Sequence, residues 1–285
     1  MPMDFLGMLT YHELQTLCVP LDQCISVKTG KVDPVILAEL EKHGYDQAPV
    51  YDAGGRVLYG LISTECLRAL QISGEEISES DIEIRDEGHF LFTGPFLTVE
   101  RLLATLTDRR AVFVVRESSA TEYGYNQWNY GLLTVSDLNR HALRGALYSI
   151  LSELESGLAS VIDAYFREPW HWIQILGESH QVSVLGYWEL SKKRGVDVGP
   201  IAATTLAQLL NVVARSKELL HELGYKSRNE FEDNLGHVPE LRNCVMHPVR
   251  PLVLSTSDVT KVRNTVVAVI DLYRKVEAVR TKKGG

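Results

Sequence analysis

The chain holds only four cysteines in 285 residues, Cys18, Cys24, Cys66 and Cys244, and no two form a CxxC pair. That excludes a disulfide-stapled scaffold and leaves no structural-zinc spacing. No apolar run approaches the roughly 20 residues needed to span a bilayer. The opening MPMDFLGMLTYHEL lacks the basic segment and uninterrupted apolar core of a secretory signal. The expected compartment is therefore the cytoplasm, with no membrane partner. Walker A, nucleophile-elbow and zinc-protease motifs are missing, and His12, His43, His89 and His180 have no ligand-like spacing, so no metal is expected.

What is present is an ordinary globular composition, 45% hydrophobic and 23% charged, at a length that points to two domains. The net charge of −8 is unevenly spread. Up to Asp137 there are 10 Lys and Arg against 21 Asp and Glu; from Leu138 onward there are 19 against 16. An acidic half joined to a mildly basic half implies two tasks.

The first half alternates short β-forming runs with helical stretches. Ala48–Tyr51 and Val57–Ile62 read as strands joined by the turn Asp52-Ala53-Gly54-Gly55, flanked by helices over Pro34–Lys42 and Ser63–Leu70. The order recurs: a helix over Val99–Thr107, a strand over Ala111–Val115, a partner strand over Tyr130–Leu133 and a helix over Ser136–Leu143. Gly60-Leu61-Ile62-Ser63-Thr64-Glu65-Cys66-Leu67 aligns with Gly131-Leu132-Leu133-Thr134-Val135-Ser136-Asp137-Leu138, an offset of 71 residues. The second copy has a longer polar turn, Glu117–Asn129, and an acidic linker, Gly74–Gly88, joins the two.

Beyond Asp137 the pattern is helical. Leu143, Leu147, Ile150, Leu151, Leu154, Leu158, Val161 and Ile162 recur at three- and four-residue spacings, which predicts one amphipathic helix over Leu138–Phe166, ended by Pro169. Further helices are expected over Ile173–Leu190, Pro200–Leu223 with Gly224 beyond its end, and Asp258–Val279. A capping box, Ser227 to Glu230, opens a short helix, and Pro239 and Pro248 bracket another of about two turns.

The motif Gly-apolar-apolar-Ser/Thr-x-x-Asp-apolar, following a Pro-Val strand and a Gly-containing turn, resembles the cystathionine-beta-synthase (CBS) domain, and two copies resemble a Bateman module. The similarity covers roughly Cys18–Arg144. It implies an adenine-nucleotide site (AMP, ADP, ATP or another adenosyl ligand) of regulatory type. There Thr134, and Ser63 in the first copy, would hold phosphate at a helix N-terminus, where unpaired N–H groups and the dipole favour anions. Asp137 would bind the ribose hydroxyls. In the first copy Cys66 stands where that Asp is expected.

In the helical half, Leu241-Arg242-Asn243-Cys244-Val245-Met246-His247-Pro248 resembles the Arg-x4-His motif of the HEPN superfamily (higher eukaryotes and prokaryotes nucleotide-binding), which includes metal-independent endoribonucleases. On an ideal helix Asn243 and His247 share a face, whereas Arg242 lies about 140° from His247 and reaches the same groove only by its length. RNA cleavage needs a base for the 2′-hydroxyl, an acid for the 5′-oxygen and positive charge on the phosphate. Histidine suits proton transfer near neutral pH and arginine clamps phosphate oxygens. Asn243 can orient the imidazole or bond the phosphate. One His per chain is sparse for two proton transfers, so the similarity implies a homodimer with a composite cleft.

The expected architecture is thus α+β: a tandem CBS module over 1–137 and an all-α bundle of HEPN type over 138–285. The expected function is a nucleotide-regulated, metal-independent endoribonuclease, with Arg242, Asn243 and His247 acting on RNA and the long helix leaving Asp137 carrying the allosteric signal. The alternative is a non-catalytic, ligand-sensing interaction or scaffold protein whose bundle binds RNA or a protein partner. Trp170-His171-Trp172 is an aromatic cluster suited to a base-stacking surface or to the core, and the tail Arg274–Lys283 a possible phosphate contact.

Overall fold

The computed structural model describes residues 6–55, 57–83, 90–92, 97–115 and 130–283. Among these, one compact unit comprises 9–97 and 104–142, and the other 6–8, 98–103 and 143–283. The fold is α+β, with the small sheets N-terminal and a helical C-terminal region.

Up to Thr134 the chain runs α1 (Tyr11–Leu17), β1 (Val19–Pro20), β2 (Val27–Lys28), β3 (Gly30–Lys31), α2 (Pro34–His43), β4 (Gln47–Tyr51), β5 (Leu58–Ser63), α3 (Thr64–Ser73), β6 (Glu76–Ile77), β7 (Phe90–Phe92), α4 (Val99–Thr107), β8 (Ala111–Val115) and β9 (Tyr130–Thr134). Local chemistry places the ends. Asp33 caps α2, its carboxylate accepting from the Val35 N–H at 2.8 Å, with Pro34 at N1 and Gly44 left-handed at the C-cap.

The repeat is topological as well as sequential. In each copy a short strand runs parallel to the first strand of an antiparallel hairpin, β2 beside β4 and β7 beside β8. Gly60 lies opposite Val50, and Gly131 opposite Val114. Ser63 and Thr134 end equivalent strands, opposite Gln47 and Ala111. Period-two alternation buries both faces of β5. Leu61 packs with Leu21 and, from the other copy, with Ala111, Phe113 and Leu132. Ile62 points the opposite way, into Leu37, Leu40, Leu67 and Leu70 of its own helices. The strand β1 adds to β9 rather than to its own copy, pairing Val19 with Leu132. That approach requires Gly131, since a Cβ there would fall 2.7 Å from the Cβ of Cys18.

The linker expected over Gly74–Gly88 is partly structural. Within it β6 pairs with β3, and Ile77 and Ile82 enter the core. Its last residues, like the polar turn Glu117–Asn129, lie outside the described residues.

The helices that follow are α5 (His141–Tyr165), α6 (Pro169–Ile173), α7 (Glu178–Lys193), α8 (Leu206–Arg215), α9 (Lys217–Glu222), α10 (Arg228–Leu235), α11 (Val238–Met246) and α12 (Thr256–Lys283). The stripe predicted on α5 is buried, and α12 packs close to it: a Cβ on Gly157 would come within 2.9 Å of Val276. No helix among the described residues is long and apolar enough to cross a membrane.

Several helix boundaries differ from expectation. Ser136–Leu143 is not one helix: Val135–Asn139 form a 3-10 turn and Arg140 is extended (φ −69°, ψ 156°) before α5 begins. Pro169 does not end α5, which stops at Tyr165; it opens α6 at the first helical position, where its missing N–H costs nothing. The helix expected over Ile173–Leu190 is divided between α6 and α7. The span Pro200–Leu223 divides into a 3-10 turn, α8 and α9, because Ser216 (φ −92°, ψ 103°) ends one helix and caps the next. The box at Ser227 is half formed, the Glu230 carboxylate accepting instead from the Lys226 N–H at 2.7 Å. Trp172 is buried whereas Trp170 is 52% exposed, so the aromatic cluster is split between core and surface.

Candidate functional sites

The α/β unit contains the residues expected to hold a nucleotide. Ser63 caps α3, its hydroxyl accepting from the Cys66 N–H at 3.1 Å. Next to it Thr64 is buried and donates its hydroxyl proton to the Tyr45 carbonyl at 2.6 Å. In the second copy Thr134 and Asp137 bond each other: the Thr134 N–H and hydroxyl donate to Asp137 Oδ2 at 2.8 and 2.7 Å. Asp137 Oδ1 is 2.7 Å from the Arg140 guanidinium, whose other nitrogen donates to the Thr16 carbonyl at 3.0 Å. Asp137 is only 8% exposed. A carboxylate offers about four lone-pair sites, and three contacts already occupy this one. With about one site left, a group that donates two hydrogen bonds to Asp137 must displace one of these contacts.

Cys24 stands in the same neighbourhood, a residue that the motif pattern did not single out. Its thiol is pushed up to about 11 by burial, then by Asp137 and Asp22. The Tyr51 phenol is also raised, by burial and by Cys24 and Asp22. In the first copy the Cys66 thiol is raised by burial and by Asp81 and Glu83. A thiol at that position carries no charge and cannot replace a carboxylate as a two-oxygen acceptor.

The helical unit contains Arg242, Asn243 and His247. Arg242 and Asn243 lie on α11, Arg242 half-buried and Asn243 exposed. His247 is the C-cap residue, with its N–H donating to the Asn243 carbonyl at 3.1 Å. Its backbone (φ −114°, ψ 88°) has left the helix and its side chain is exposed. The shared helical face expected for Asn243 and His247 thus breaks at His247, because Pro248 disfavours helical backbone in the residue before it.

What fixes this helix end is Arg144, which the motif pattern did not mark. It is 5% exposed on α5, and its guanidinium donates to the carbonyls of Cys244 and Arg250. Burial lowers its pKa from the ordinary arginine value. A helix C-terminus leaves carbonyls unpaired and partially negative, so a cation there satisfies both needs. Arg144 also clamps the turn that follows His247, closed by the Arg250 N–H on the His247 carbonyl at 2.9 Å. A signal for it was present: Arg144 interrupts the apolar stripe at the spacing of Leu147, Leu151, Leu154 and Leu158.

Two outcomes follow. Arg144→Met keeps the bulk but takes the donor from two part-buried carbonyls; at the lower end of 1–3 kcal/mol for each unsatisfied group it should destabilise the unit by about 2 kcal/mol. Thermal melts followed by circular dichroism check this, and an unchanged Tm would show that these contacts hold nothing. Cys24 should be alkylated by iodoacetamide at pH 8 about 100-fold more slowly than in unfolded chain, because thiolate falls tenfold for each unit the pKa rises. The stability due to its neutral form is kept below pH 9 and lost as pH climbs through about 11. Asp137→Asn should speed the alkylation, and an equal rate would place Asp137 away from the thiol.

No protein-family model matches the chain, and no curated protein matches it. Among solved structures, the crystal structure of CbpB in complex with c-di-AMP is similar over 51% of this chain and 90% of that chain, at 16% sequence identity and a TM-score of 0.32.

Proposed function

We propose that this chain is a nucleotide-regulated, metal-independent endoribonuclease, in which a tandem CBS module takes an adenine nucleotide and a HEPN-type bundle cuts RNA. The observation that carries the catalytic half is the exposed His247 at the end of α11, directly after the turn bearing Arg242 and Asn243 and braced by Arg144. In the cleavage step one imidazole takes the 2′-hydroxyl proton. The 2′-oxygen then bonds to phosphorus, the P–O5′ bond breaks, and the leaving oxygen accepts a proton. The products are a 2′,3′-cyclic phosphate and a 5′-hydroxyl. Arg242 balances charge on the phosphate oxygens, and Asn243 orients the imidazole or bonds the phosphate. A symmetric homodimer supplies the second imidazole.

For the sensor, Thr134 and Ser63 receive phosphate and Asp137 the ribose. Occupying Asp137 competes with its hold on Arg140. Arg140 and Arg144 follow it along the chain at intervals of three and four residues, so the chain itself links the ligand to the brace on the motif. Such coupling requires the ligand to discriminate between two states.

RNA incubated with the full chain in chelator should be cut, and His247→Ala should reduce the rate by at least about 100-fold, the usual loss of a general acid or base. Identical products from wild type and variant would make the catalytic assignment wrong. For the sensor, AMP, ADP or ATP at 100 times its Kd should add about 2.7 kcal/mol of stability. The resulting rise in Tm should vanish in Asp137→Asn; no rise with any of the three removes the sensor from the proposal.

A further inference from the structure

A second basic feature of the helical unit lies apart from the Arg242–His247 motif. A half-open cavity of about 460 Å³ is lined by Arg215, Lys217, His221, Lys226 and Arg228, over a floor that includes Leu220. It contains no carboxylate among its lining residues. The volume falls in the range of small-molecule sites, several times what a bare phosphate fills.

The local fold accounts for this concentration of charge. Ser216 breaks the chain between α8 and α9, which sets Arg215 at the end of one helix and Lys217 at the start of the next. On α9 the positions Lys217, Leu220 and His221 form one face at helical spacing and line the cavity. The acids of the same helix, Glu218 and Glu222, are not among the residues that line it. Lys226 and Arg228 come from the start of α10, where Ser227 caps the helix. The two nearby carboxylates on α10 are engaged, Glu230 with the Lys226 N–H and Glu232 with Arg228 Nε at 2.8 Å. Arg215 is steadied by the Ile175 carbonyl at 3.4 Å.

Arg228 is paired with Glu232, which leaves Arg215, Lys217 and Lys226 as three cations around one hollow, and an anion seated there is attracted by all three. We infer that this cavity is a binding site for the phosphate of a nucleotide, free or within an RNA strand. Lys217 and Lys226 act as point charges on the phosphate, Arg215 and Arg228 donate to its oxygens, and the apolar floor accepts the sugar or base. The site goes beyond the catalytic proposal and holds whether or not His247 is catalytic.

The probe is a fluorescein-labelled 2′-O-methyl oligouridylate dodecamer, which cannot be cleaved through its 2′-oxygen, titrated with the full chain and followed by anisotropy. Lys217→Gln/Lys226→Gln should weaken binding about tenfold. It should also flatten the slope of log K against log salt by about 1.4, the effect of two lost phosphate contacts on a single strand. Circular dichroism checks that the variant is folded, and Lys192→Gln/Lys193→Gln on α7 should bind as wild type. Competition by uridine monophosphate assigns the site to one nucleotide; loss in the variant without such competition assigns it to the strand. Wild type that does not bind the dodecamer, or a variant with unchanged affinity and slope, overturns the inference. Because the readout is binding of an uncleavable probe, its failure is distinct from failure of cleavage at His247.

Discussion

The helical unit turns on the burial of one guanidinium. Arg144 sits in the apolar stripe of α5, where an unpaired charge would be prohibitively costly, and its partners are the carbonyls of Cys244 and Arg250. Each side solves the other's problem. The cation gains acceptors in a medium poor in water, and the end of α11 gains a donor for carbonyls that no longer have helical partners. The consequence is geometric: α11 stops at Met246, the chain turns through His247 to Arg250, and the imidazole is left facing solvent.

A corresponding closure in the α/β unit shows how one residue separates two copies of a repeat. In the second copy the Asp137 carboxylate folds back on Thr134 and forward to Arg140, and the residues between them tighten into a 3-10 turn. In the first copy Cys66 offers no such acceptor. Ser63 caps instead by accepting from the Cys66 N–H, and α3 proceeds as a regular α-helix. The strands leading into the two sites keep the same register, so the divergence lies in the chemistry of position three after the hydroxyl and not in the sheet.

Much of the fold was legible because it depends on short-range periodicity. The β-forming run Val57–Ile62 gives a strand from Leu58, the Asp52–Gly55 turn joins it to the strand before, and the three-and-four spacing from Leu143 to Ile162 reports a face that the structure buries. Boundaries were less legible where helical spacing continued across a break. Ser216 and Arg140 interrupt runs whose apolar pattern gives no sign of interruption, and Pro169 reads equally well as a stop or a start. The pairing of β1 with β9 was hidden too, since it joins segments more than 100 residues apart.

For the sites, the sequence by itself determined the residue types and their local spacing: a hydroxyl and a carboxylate three apart after a strand, and Arg, Asn and His around a helix end closed by proline. These are short-range facts, set by which side chains can cap a turn and which backbone can precede a proline. Only the tertiary structure decided what each group touches. Asp137 is engaged by Arg140 and Thr134, α11 is held from a helix 100 residues earlier by Arg144, and Arg215, Lys217, Lys226 and Arg228 line one hollow that Glu218 and Glu222 do not. Electrostatic partners act through space at a few ångströms, and proximity of that kind is fixed by packing, which no local pattern encodes.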